Sequence, residues 1–317
     1  MKGLIKLFLS KQELIEEFFT YGDVTDGKDI KARIKRLKFY LANHDYDSEI
    51  VYMMLFVEAD RTSYATNDFE KCVAIARPVF DLLKEPRCNN ISFVEVIVLA
   101  KLISFAPTFD VVKTCEQTVY NLLETKFKHE KLYNTVRFIL STAIVSRLVA
   151  AKYFSANGSK SEASREELFE LFKKHSVFCD NIFTKNKLPR LEACYRIHEG
   201  MFHRNAQLVE DSLLWLRKHE RKKWYPTMTE EFIKFSHIME GELTQTLLDI
   251  VAGYYITKIR EERGIKQVDV ADDISIAPET LSKIENGRST ASAMYLYKLS
   301  HLFGVDVSYF FTGKKLY

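Results

Sequence analysis

The chain is short of glycine and proline, with 11 Gly and 6 Pro among 317 residues, about 5 % where average proteins carry roughly 12 %. Hairpins and tight turns draw on those residues for positive φ and for fixed bends, so a β-rich fold is disfavoured. Between Lys28 and Asn157 there is no glycine at all, which leaves no glycine-rich cradle for a nucleotide phosphate there. Cysteine is sparse too. Cys72, Cys88, Cys115, Cys179 and Cys194 are odd in number and widely spaced, with no CxxC, so neither a disulfide framework nor a zinc site is readable. Buried, reduced thiols in a cytoplasmic protein are expected. Neither charge sign dominates, since 46 Lys and Arg face 43 Asp and Glu. Long clean apolar runs are missing as well: Ile91–Pro107 and Phe138–Ala151 are interrupted by Glu95, Lys101 and Arg147, short of the roughly 20 residues a membrane span requires. At the start, Leu4–Leu9 is broken by Lys6 and followed by Lys11, Glu13 and Glu16, too charged for a signal peptide.

What is present is helical. Residues 317 in number predict about two domains, and hydrophobic residues make up 47 %. Over 68–84, Phe69, Cys72, Val73, Ala76, Val79, Phe80 and Leu83 recur at three and four, a helical stripe that Pro78 is expected to kink. Similar stripes begin near Phe109, Ser164 and Ala206, each preceded by another helical stretch: 49–64, 91–105, 131–153 and 188–203. Helix pairs that cannot bury an apolar face alone must stack on their neighbours. Residues 1–248 are therefore expected to form an all-α helical-repeat domain, an α-solenoid similar to tetratricopeptide repeats without their consensus residues, with a single irregular bundle as the alternative. The insertion 155–164 contains an Asn157-Gly158 turn, and Ser164 with Glu167 makes a capping box.

From 249 onward the character changes, because five of the eleven glycines, Gly253, Gly264, Gly287, Gly304 and Gly313, fall in the last 65 residues. Short helices with sharp corners are expected at 253–263, 267–273, 278–286, 291–303 and 306–312. Within 256–311 the chain reads Arg-x-x-x-Gly-x-x-Gln from Arg260 to Gln267, then the small Ala271, then Ile284-Glu285-Asn286-Gly287, then Phe303-Gly304-Val305. At about 100° per residue from Pro278, Leu281, Ile284 and Glu285 fall together on one side of the third helix, while Glu279, Ser282, Lys283 and Asn286 fall on the other. Residues 256–311 resemble the helix-turn-helix domain of the Cro/CI (XRE-type) repressors, which sets 249–317 apart as a second domain.

The resemblance implies a sequence-specific DNA-binding transcriptional regulator, with the outer side of the third helix in a major groove. Pro278 would offer apolar contact to a thymine methyl, Glu279 would accept from cytosine N4, and Lys283 would donate to guanine. Ser282 lies a turn beyond Glu279, beside Lys283. Lys266 and Gln267, opening the second helix, would contact backbone and base, and Thr280, Asn286 and Arg288 would meet phosphate or sugar. Ala277 stands where the family places a capping Ser or Thr, a loss of about 1 kcal/mol. Glu285 would pair inward with Arg260 as a structural ion pair. The partners implied are a double-stranded operator with an inverted repeat and a second copy of the chain. The joining of such a reader to helical repeats is similar to the peptide-receptor regulators of Gram-positive bacteria, in which the reader comes first rather than last. A peptide or small-molecule effector in the N-terminal domain follows as an expectation.

Residues 249–317 hold nine basic and nine acidic side chains, so the domain alone would neutralise few phosphates. Dimerisation, or the basic runs Lys31–Lys38 and Arg217–Lys223, would make up the difference. Other patterns point away from chemistry. His198-Glu-Gly-Met-Phe-His203 has one residue too many for a zinc helix, and no nucleophile and base stand together in a known motif, so no enzyme, cofactor or metal is expected. Should the neutral domain dock protein rather than DNA, the chain would be an adaptor.

Overall fold

The computed structural model describes residues 9–19, 27–66, 68–84, 90–156, 163–221, 224–239 and 241–313. Among them the fold is all-α, with no strand. The chain divides into two compact units, Met1–Lys187 and Leu188–Tyr317.

The first unit contains α1 (Lys11–Phe19), α2 (Gly27–Asn43), α3 (Ser48–Thr66), α4 (Phe69–Phe80), α5 (Phe93–Leu102), α6 (Phe109–Thr125), α7 (Tyr133–Ala156) and α8 (Arg165–Lys185). The helical stretches read from the sequence appear here as α3 with α4, α5 with α6, and α7 with α8. Helix α5 is the centre of the unit: Val96 to Ala100 and Leu102 are fully buried, and it packs on α3, α6 and α7. A helix that is apolar all round has to be enclosed on every side. The three charges that interrupt the apolar runs each have an internal partner. Glu95 closes the capping box of α5 with Ser92 and accepts from Ser48 Oγ at 3.0 Å. Arg147 Nε donates to the Ala106 carbonyl at 3.1 Å. Lys101 Nζ lies over the Phe18 and Phe56 rings, 4.7 and 5.3 Å from their centroids. No helix among the described residues is long and apolar enough to cross a membrane.

Local signals behave as their chemistry requires, with one shift. Ser164 and Glu167 cap α8 reciprocally, at 3.1 and 2.9 Å. Pro78 sits in the last turn of α4 rather than at a mid-helix kink, and Asp81–Lys84 continues the chain as a tighter 3-10 turn. The missing N–H of proline weakens only the end of a helix that stops two residues later. Residues 157 and 158, where a turn is expected, and Cys88 lie outside the described residues. Cys72, Cys115 and Cys179 are buried, while Cys194 is only partly so; burial pushes the Cys194 thiol up to about 12, which keeps it unreactive.

The second unit opens with α9 (Pro189–His203), α10 (Ala206–His219) and α11 (Trp224–Phe235), and continues with α12 (Gln245–Glu262), α13 (Gln267–Asp273), α14 (Pro278–Glu285), α15 (Ala293–Leu302) and α16 (Tyr309–Thr312). Helices α9 and α10 form the fourth expected pair. The helix expected from Gly253 starts eight residues earlier, because Thr244 caps it by accepting from Leu247 N at 3.2 Å and nothing between 245 and 253 breaks the pattern. Positions 248 and 249 therefore lie inside one continuous helix.

Candidate nucleic-acid interface

The last five helices enclose a small core in which Ile256, Val270, Ala271, Leu281, Leu299 and Phe303 are buried. Two close approaches fix the geometry. A Cβ on Gly253 of α12 would lie 2.4 Å from the Ile284 carbonyl oxygen, so α12 crosses the end of α14 at backbone contact. Gly287 ends α14 with φ +59°, and a Cβ there would meet Ile250 Cα at 2.8 Å. Only glycine satisfies both the left-handed turn and the lack of space. The corner between α13 and α14 has no glycine; Ser275 takes φ +59° instead.

Helix α14 is two-faced as its spacing predicts. Leu281 and Ile284 are buried, and the Glu285 side chain is 4 % exposed. Arg260 Nε donates to Glu285 Oε1 at 2.7 Å and Nη2 donates to Oε2 at 3.0 Å, a two-pronged ion pair beneath the helix. Gln267 Nε2 adds a third donor to Oε2 at 2.7 Å. That commitment leaves Gln267 one N–H and its oxygen for an outside partner. Hydrogen bonding to Glu285, against the cost of burial, raises the guanidinium of Arg260 above its ordinary range.

On the opposite side, Glu279 and Lys283 are exposed, and Pro278, Thr280, Ser282 and Asn286 are partly exposed. Asn286 Nδ2 bonds back to the Ser282 carbonyl at 2.6 Å, which holds it against the helix end. Lys266, the cap of α13, and Arg288, just past α14, are exposed. Pro278 begins α14 with Ala277 as a cap that makes no side-chain bond. The nine residues expected to meet DNA lie on α14, in the turn that follows it or at the start of α13. The acidic Asp269, Asp272 and Asp273 are exposed on α13.

Several residues act in ways the sequence reading did not find. Arg217, at the end of α10, donates from Nη1 to the Gly287 carbonyl at 3.0 Å, across 70 positions; no local pattern signals a bond of that range. Thr290 Oγ1 donates to Asp249 Oδ2 at 2.8 Å and Lys298 Nζ to the Ile274 carbonyl at 2.7 Å, tying the turn after α14 to α12 and the turn after α13 to α15. In the first unit, Ser141 Oγ lies 3.0 Å from His175 Nδ1, and His175 Nε2 lies 3.6 Å from Glu116 Oε1. These three residues are 1 %, 3 % and 3 % exposed and link α7, α8 and α6 inside the unit. His198 points its Nδ1 at the Cys194 carbonyl and its Nε2 towards Glu231. No group of three His, Cys, Asp or Glu among the described residues is arranged to hold a metal ion.

Residues 253–316 match a protein family described as a helix-turn-helix domain. No curated protein and no solved structure matches the chain. The chain therefore carries a helix-turn-helix domain in its C-terminal part, the class of fold that lays its second motif helix in a DNA major groove and that supports a DNA-binding regulator.

Proposed function

We propose that this protein is a sequence-specific transcriptional regulator of the Cro/CI (XRE-type) kind, cytoplasmic and without enzymatic activity. Two copies bind an inverted repeat, and the helices preceding the reader form the sensing and dimerisation part, with a peptide or small molecule as candidate effector. The observation that carries the reading is the division of α14. Its inner side is spent on Leu281, Ile284 and the Arg260–Glu285 pair, while Glu279, Ser282 and Lys283 are left for base edges. Two copies would set two such helices about 34 Å apart, one turn of duplex. They would also double the few phosphate contacts that a charge-balanced domain can make.

The balanced charge and the exposed carboxylates of α13 favour a second reading, in which the domain docks a protein and the chain is an adaptor. Selection from a genomic fragment library at moderate salt separates the two. Enrichment of a short inverted repeat by the wild type, abolished by Glu279→Ala with Lys283→Ala, is the result expected of a regulator; even recovery of all fragments is the result expected of an adaptor.

A further inference from the structure

Two basic runs lie outside the helix-turn-helix segment, and the structure separates their roles. In the run Lys31–Lys38, on α2, Arg33 donates to the Glu17 carbonyl, Arg36 pairs with the Glu17 carboxylate, and Lys38 pairs with Glu58 at 3.0 Å. Three of its five cations hold α2 to its neighbours. The run Arg217–Lys223 is placed differently. Arg217 fixes the end of α10 to the Gly287 carbonyl, two residues past the last residue of α14. Lys218 and Arg221, which follow it, are exposed, and neither is paired with a carboxylate among the described residues. Arg288, next to the anchored Gly287, is exposed too. Arg217 thus ties the end of α10 to the turn that follows α14, and the exposed Lys218 and Arg221 come directly after this anchor in the chain.

We infer that the α10 terminus, through Lys218 and Arg221, is an auxiliary binding site for the DNA phosphate backbone, tethered by Arg217 to the turn that follows α14 and lying outside the helix-turn-helix domain. The inference rests on the DNA-binding reading above. It supplies what residues 249–317 lack, since nine acidic side chains there offset the nine basic ones. Cations at a helix end also complement the helix dipole, which would account for their presence without any ligand. The two roles differ in one measurable way: each phosphate neutralised on duplex DNA steepens the fall of affinity with salt by about 0.9 in a log–log plot, and a dipole contact does not.

The test is the binding of the full chain to a random-sequence duplex, titrated across salt concentrations. With Lys218→Gln and Arg221→Gln together, the slope is expected to fall by nearly 2, so that a fourfold rise in salt costs the variant roughly tenfold less affinity than it costs the wild type. Lys218→Arg is expected to keep the wild-type slope. A wild type that binds with a slope unchanged by the double substitution, but lowered by Arg288→Gln, overturns the inference and leaves the DNA-binding reading in place. A wild type that binds no duplex at any salt removes both. The double variant's unfolding midpoint, expected to fall by no more than the loss of a dipole contact, shows that any change in slope is not a loss of fold.

Discussion

Glu285 receives two hydrogen bonds from Arg260 and one from Gln267 while its side chain is almost wholly enclosed. A carboxylate so placed is stable only while its donors remain, so Arg260→Ala strands a buried charge and is expected to cost about 3 to 5 kcal/mol. Gln267→Ala removes one neutral donor and is expected to cost about 1 kcal/mol. Denaturant unfolding of the full chain checks both; a midpoint unmoved by Arg260→Ala contradicts the assignment. The opposite sign is expected at Ser275. A non-glycine residue at φ +59° carries about 1 to 2 kcal/mol of steric cost, partly offset by the freedom glycine regains on unfolding. Ser275→Gly is therefore expected to stabilise the domain by about 0.5 to 1 kcal/mol, and destabilisation in the same assay would contradict this. At this scale the ion pair was legible, because helix spacing puts Glu285 inward and the family resemblance supplies Arg260. The strain at Ser275 was not, because serine carries no mark of a left-handed corner.

Among elements, the crossing of α12 over α14 sets the angle at which the outer side of α14 is presented. Gly253→Ala inserts a methyl group 2.4 Å from the Ile284 oxygen, so the two helices must separate. Overpacking of this kind typically costs 1 to 3 kcal/mol. The expected outcome is that cost in unfolding together with weaker binding to an enriched operator, although Gly253 touches no DNA; wild-type affinity would contradict the role given to the crossing. Helices were the most legible level, since stripes recurring at three and four mark α3 to α10 with few errors. Their ends were less so. Gly253 reads as a start, but it lies mid-helix because it is needed for close approach rather than for a turn. The bond from Arg217 to Gly287 joins elements that no local pattern connects.

At the scale of a whole unit, buried charge couples stability to pH. In the first unit, burial lowers the Lys101 ammonium to about 8 from 10.5, with nearby Arg33 adding to the shift and Asp60 opposing it. The unfolded chain then holds more protons between pH 8 and 10.5, so the stability contributed by this group rises with pH across that window and is at its minimum below it. On the order of 2 to 3 kcal/mol is expected to be regained, and Lys101→Met is expected to yield it already at pH 7 and flatten the rise. An unfolding midpoint that falls between pH 8 and 10.5 in the wild type but not in Lys101→Met would contradict this. Glu116 acts in the other direction. Burial raises its carboxyl, but Lys174, which donates to it at 2.6 Å, and the neighbouring His175 outweigh that and hold it below its ordinary range. Its contribution is present above that range and lost as pH falls. In the second unit, the face built on α14 was legible as a surface pattern, while its support from α10 and α12 emerges only from the packing.

Methylation protection of an operator duplex recovered by selection tests the central claim most directly. If the outer side of α14 lies in the major groove, guanine N7 positions within each half of the repeat are shielded by the wild type, and Lys283→Ala restores reactivity at one position per half while the others stay shielded. Bound protein that leaves every guanine N7 as reactive as in free DNA would contradict the account.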